Sequence, residues 1–140
     1  MLFIRNYDKI AIRQNLINFK NIWFILKITL RNIVAEIPKF HEFMRPLLEV
    51  LVENGEMHRH DAVDATIKKV GLTEEKKLLC NETNGKFIAN ERVGWASSYL
   101  SQAGCLVRPK RGYMAPGKNA KDFLNFDRPI TVADIKSISE

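Results

Sequence analysis

The stretch "NERVGWASSYLSQAGCLVRPKRGYMAPG", residues 90–117, constrains the fold more than any other. Asn90 is placed to cap a helix. Val93, Ala96, Leu100 and Ala103 then recur at spacings of three, four and three, which puts them on one face. Gly104 follows as a C-terminal stop. At about 100° of rotation per residue, the opposite face carries Glu91, Gly94, Trp95, Ser98, Ser101 and Gln102. A solvated face is usually rich in Lys and Glu. This one is thin, and it would let the helix approach a partner closely. Beyond the glycine, "CLVRPKRGYMAP" reads as strand, turn, strand. Leu106 and Tyr113–Met114 supply two short apolar runs, and Pro109 and Gly112 bracket a tip of Lys110 and Arg111.

The residues upstream supply more helices. After Pro38, the side chains Phe40, Phe43, Met44, Leu47, Leu48 and Leu51 recur at helical spacing. Pro46 is tolerable there only near the first turns, where its missing N–H matters least. Asn54-Gly55 ends that segment. In "MHRHDAVDATIKKVGL", Ala62, Val63, Ala65, Thr66 and Val70 predict a second helix stopped by Gly71. Thr73 is a candidate N-cap for a short helical piece in "TEEKKLLC". "NETNGK" is turn chemistry, with Asn84-Gly85 favouring positive φ. A last amphipathic turn or two, "KNAKDFLN", offers Ala120, Phe123 and Leu124 to the core.

The expected order is therefore helix, helix, short helix, helix, hairpin, helix. The fold class is mainly α with a small β-hairpin, arranged as a winged helix-turn-helix. The physics of that plan suits DNA: a helix fits the major groove, and a basic hairpin beside it neutralises phosphates.

Charge supports this only locally. The net charge is +6, but residues 1–37 contribute six Lys/Arg against two Asp/Glu, and the remainder is nearly balanced. The informative run is Arg108, Lys110, Arg111, Lys118 and Lys121, with no acid between them. Within residues 1–37, the types Ile, Asn, Lys, Phe, Leu and Tyr make up 25 of the 37. That bias reads either as upstream DNA translated ahead of the true start or as an amphipathic helix from about Ile10 to Glu36. Lys20, Lys27 and Arg31 interrupt it, so it is too polar to span a membrane, and no small-residue cleavage site follows it. A basic helix lying on a membrane surface is the weaker alternative.

Cys80 and Cys105 show no metal or disulfide spacing and are expected as reduced, partly buried thiols in a cytoplasmic protein. His58, His60 and Asp61 lack a fourth ligand at suitable spacing and read as a solvated helix start. No metal and no cofactor is expected.

At this level of detail the chain resembles a known family. "IPKFHEFMRPLLEVLVENGEMHRHDAVDATIKKVGLTEEKK" and "NERVGWASSYLSQAGCLVRPKRGYM" are similar to the N-terminal domain of Mrr-type restriction system proteins. The matching positions are Pro38, Phe40, Pro46-Leu47-Leu48, Leu72-Thr73-Glu74-Glu75, Gly94-Trp95-Ala96, Tyr99-Leu100, Ala103-Gly104 and Lys110-Arg111-Gly112. Two places depart from the family pattern. Glu91-Arg92 stands where the family has Asn-Arg, and "APGKNA" replaces its I-T-x-x-G after the wing.

The resemblance implies a winged helix that, in the family, precedes a nuclease domain cutting modified DNA. No acidic strand followed by Q-x-K or E-x-K occurs after residue 126, and the "EEKK" string at 74–77 falls on a short helix. The expectation is therefore the DNA-binding half of such an enzyme without catalysis of its own.

Residues 1–37 are expected as an extension, 38–126 as the domain, and 127–140 as a tail or truncated linker. Candidate DNA-binding residues are Arg92, Trp95, Ser98, Ser101, Gln102, Arg108, Lys110 and Arg111, with packing the favoured role for Trp95. Double-stranded DNA is the expected partner, with a homodimer or a separate nuclease subunit as further partners and no membrane. The alternative reading is a winged-helix protein-interaction or dimerisation module.

Overall fold

Phe43, Met44, Leu47, Leu48 and Leu51 are all fully buried in the computed structural model, which describes residues 2–139 and side chains from Asn18 onward. The chain forms two units, residues 1–36 and residues 37–140. The first is a single helix, α1 (Leu2–Ala35). It starts earlier than its apolar pattern suggests, and Phe19, Trp23, Phe24 and Ile25 on it are more than half exposed. Among the described residues, no helix is long and apolar enough to cross a membrane.

The second unit opens with a 3-10 turn at Phe40–Phe43, capped by Glu42, whose carboxylate accepts from the Lys39 N–H. Helix α2 (Met44–Asn54) follows, with Pro46 in its first turn, where no intrahelical donor is lost. Gly55, at φ 75°, ends it. The two residues of β1 (Met57–His58) lead into α3 (Arg59–Val70), capped by His58 and stopped by Gly71. Thr73 caps the one-turn α4 (Glu74–Lys77) by accepting from the Lys76 N–H at 3.4 Å. Then come α5 (Ile88–Gln102), β2 (Leu106–Val107), β3 (Tyr113–Pro116), α6 (Ala120–Leu124) and α7 (Val132–Ser139).

The sheet has three antiparallel strands in the order β1-β3-β2. Met57 faces Met114 and His58 faces Tyr113, while Leu106 faces Pro116 and Val107 faces Ala115. The fold is thus mainly α with a small sheet. The hairpin foreseen in the sequence is there, and a third strand adds to it.

Three readings need correction. Asn90 does not cap α5: the helix begins at Ile88, because Ala89 is completely buried and draws the first turn into the core. Cys80 is exposed, whereas Cys105 is buried as expected. Residues 127–140 are not a bare tail, since Ile130 and Ile135 of this segment lie in the same core cluster as α2 and α5.

"APGKNA" turns out to finish the C-terminal end of α5. The Asn119 amide donates to the Ala103 carbonyl at 2.7 Å, and the Asn119 N–H donates to Gly104 at 3.1 Å. A side chain at Gly117 would collide with the Gly104 carbonyl oxygen, so only glycine allows this approach.

Burial pushes the Cys105 thiol up to about 11. At pH 8 a maleimide should therefore label one thiol, Cys80, in the folded protein and both in urea. Mass spectrometry of the labelled chain checks this; rapid native labelling of Cys105 would contradict its burial.

Candidate nucleic-acid interface

Helix α5 supplies the floor of a surface cleft of about 860 Å³. Its inner face is the apolar row Ala89, Val93, Ala96 and Leu100, all fully buried. Its C-terminus closes as a Schellman motif: Cys105 N–H donates to Leu100 at 2.9 Å and Gly104 N–H to Ser101 at 3.1 Å. That closure fixes where β2 leaves the helix. With the inner face anchored, Asn90, Glu91, Gly94, Trp95, Ser97 and Ser98 line the cleft.

Two further segments stand around this floor. One is the β2–β3 hairpin with the start of α3, contributing Arg108, Gly112, Tyr113 and Arg59. It is tied together by Arg59 N–H donating to the Gly112 carbonyl at 2.7 Å. The other is the loop ending in Gly85, Lys86 and Phe87. Asx turns shape that loop: the Asn81 carboxamide oxygen accepts from Thr83 N–H, and that of Asn84 from Lys86 N–H. The amides of Asn81 and Asn84 then donate to the two Glu91 carboxylate oxygens at 3.3 and 2.6 Å, pinning the loop to α5.

The electrostatics follow from these pairings. Arg59, Lys86 and Arg108 are exposed, and none of them is in an ion pair among the described residues. Arg108 makes one weak contact, to the Ser97 hydroxyl at 3.3 Å. The cleft's acid, Glu91, is occupied by amides. The surface therefore offers three available positive charges around a helix face of small and aromatic residues.

Of the residues singled out in the sequence, Trp95, Ser98 and Arg108 come together here. Trp95 is not packed away, the role the sequence favours for it: it is 62% exposed and touches the fold at Phe40, with ring centroids 6.3 Å apart, so it is a largely open aromatic surface. Ser101 and Gln102 lie further along α5 and do not line the cleft, and neither do Lys110 and Arg111 at the hairpin tip. Lys110 is drawn back onto the fold, 3.2 Å from the Glu56 carboxylate and 4.0 Å from the centre of the Tyr113 ring.

Arg92 points elsewhere: its guanidinium donates to the carbonyls of Ile37 and Pro38 at 2.5 and 2.9 Å. It ties the segment before α2 to α5. Arg92→Ala should therefore cost about 1.5–3 kcal/mol of stability, as loss of charge-assisted hydrogen bonds does, and leave unchanged the DNA binding that the sequence leads one to expect of the folded protein. Urea unfolding alongside a binding titration separates the two effects. Weaker binding with full stability would restore Arg92 to the interface.

The sequence reading passed over Arg59 and Lys86, which join Arg108 only through tertiary structure.

The family model for the Mrr N-terminal domain matches residues 40–125, more than half of the chain. No curated protein and no solved structure is matched.

Proposed function

We propose, from the premise that this chain belongs to the Mrr N-terminal domain family, that residues 37–139 form a winged-helix module that binds duplex DNA. On this reading α5 is the recognition element and the β2–β3 hairpin is the wing. The observation that carries it is the set of three cations, Arg59, Lys86 and Arg108, that line the cleft over the outward face of α5 and have no carboxylate partner among the described residues. Phosphate neutralisation is the dominant sequence-independent contribution to DNA affinity, and it needs cations that carboxylates have not already taken.

The topology supports the same reading. Within residues 37–139, helices α2, α3, α4 and α5 precede the hairpin, and β1 adds to β3 so that the wing is anchored to the helical part. Anchoring matters because a two-stranded hairpin alone is marginal in water. On this reading the chain's own contribution is DNA recognition.

The test is fluorescence anisotropy of a labelled duplex titrated with the protein at several salt concentrations. Binding with a steep log–log salt slope is expected, and the slope should depend on those three cations. Absence of duplex binding at low salt would overturn the proposal and favour a protein-interaction module.

A further inference from the structure

The cleft over α5 has features that phosphate neutralisation does not require. Its floor is bare at Gly94, where a Cβ would meet nothing within 4 Å, although glycine is a poor helix former. Its volume of about 860 Å³ lies in the range of small-ligand sites, enough for a nucleotide or two and not for a duplex. Two aromatic rings on it are open to solvent, Trp95 at 62% and Phe87 at 41% exposure. The cations Arg59, Lys86 and Arg108 line the same cleft as those rings, and the Ser98 hydroxyl and Asn90 amide supply neutral hydrogen-bonding groups.

Open rings next to available cations are what unpaired nucleic acid needs: the ring stacks on a base and the cation holds its phosphate. A base-paired duplex offers no free base face along its length, so these rings would have no partner in it.

We propose that the cleft receives a single unpaired nucleotide, a base turned out of the helix or lying in a single-stranded stretch, stacked on Trp95 above Gly94. This deepens the duplex-binding reading and rests on it. The charged groups around the cleft's mouth hold the flanking strands, and the glycine leaves room for the base. Extrusion is easiest for a base that already lacks a partner, so a bulged nucleotide is the suitable probe.

The experiment uses the full chain and two fluorescein-labelled duplexes, one perfect and one carrying a single unpaired adenine at its centre. The bulged duplex should bind at least about fivefold more tightly, the lower end of what one base–aromatic stack contributes. Trp95→Ala removes the stacking surface and Gly94→Leu fills the floor, and each should bring the two affinities together. Leucine is a far better helix former than glycine, so Gly94→Leu should keep its melting temperature, which excludes unfolding as the cause. Equal binding of the two duplexes, or a preference that survives Gly94→Leu, overturns the nucleotide site and leaves the duplex reading standing. If neither duplex binds, both fall together.

Discussion

Replacing Arg59, Lys86 and Arg108 together by alanine should flatten the salt dependence of duplex binding by roughly 2.7 log–log units, at about 0.9 per phosphate contact. Between 50 and 200 mM salt the parent protein should thus lose about 40-fold more affinity than the triple variant does. Stability should change little, because all three side chains are exposed and only Arg108 bonds to another side chain, weakly. Lys110→Ala is the informative comparison. Its ammonium is already paired with Glu56 and seated on Tyr113, so its effect on the slope should be smaller than that of any of the three. The effect should be the same for unrelated DNA sequences, since phosphates carry no sequence information. A triple variant that keeps the parent slope would show that DNA does not lie on this face of α5.

The outward face of α5 was legible because helical geometry fixes it locally. Once Val93, Ala96, Leu100 and Ala103 are assigned to the core, Trp95 and Ser98 must point away, and they do. The glycine stop and the hairpin were legible for the same reason, since Gly104 and the Pro109–Gly112 turn act over a few residues. The helix start was missed because Phe87, the residue at the cap position, carries no side-chain acceptor; burial of Ala89 settles the matter. Strand β1 was missed because two residues carry no periodicity, and only the pairing of Met57 with Met114 makes them a strand. The charges of the site were half legible. Counting lysines and arginines finds the basic run, but not that Glu56 neutralises Lys110, that Arg92 is spent on the Ile37 and Pro38 carbonyls, or that Arg59 and Lys86 arrive from distant segments.

The second large effect concerns the segment that composition alone marks as a tail. A chain ending at Phe126 should be destabilised by about 3–6 kcal/mol, counting only the burial of Ile130 and Ile135 at about 1.5–3 kcal/mol each. Both side chains are almost completely buried, and α7 packs on α5. The path to that contact is held at two points. The Arg45 guanidinium donates to the carbonyls of Leu124, Phe126 and Arg128 at 3.2, 2.7 and 3.1 Å. Asp134 accepts from the Thr131 N–H at 2.8 Å and pairs with Arg128 at 2.7 Å, closing the first turn of α7. The Arg128 guanidinium holds the Asp134 carboxyl below the usual carboxylate range. A depressed value in the folded state means that the cap's contribution to stability is fully present at neutral pH and is lost progressively as pH falls from the ordinary carboxylate pKa through the depressed folded value. Against a typical total of about 5–15 kcal/mol, losing the two isoleucines would remove a large share of the domain's stability. Since they pack in the same core cluster as Val93 and Leu100, the floor of the cleft should loosen with them. Urea unfolding of the chain ending at Phe126 and of Ile135→Asp, each beside the full chain, measures this. Both should shift the midpoint strongly downward. An unchanged midpoint in the shortened chain would mean that α7 does not pack on α5 in solution.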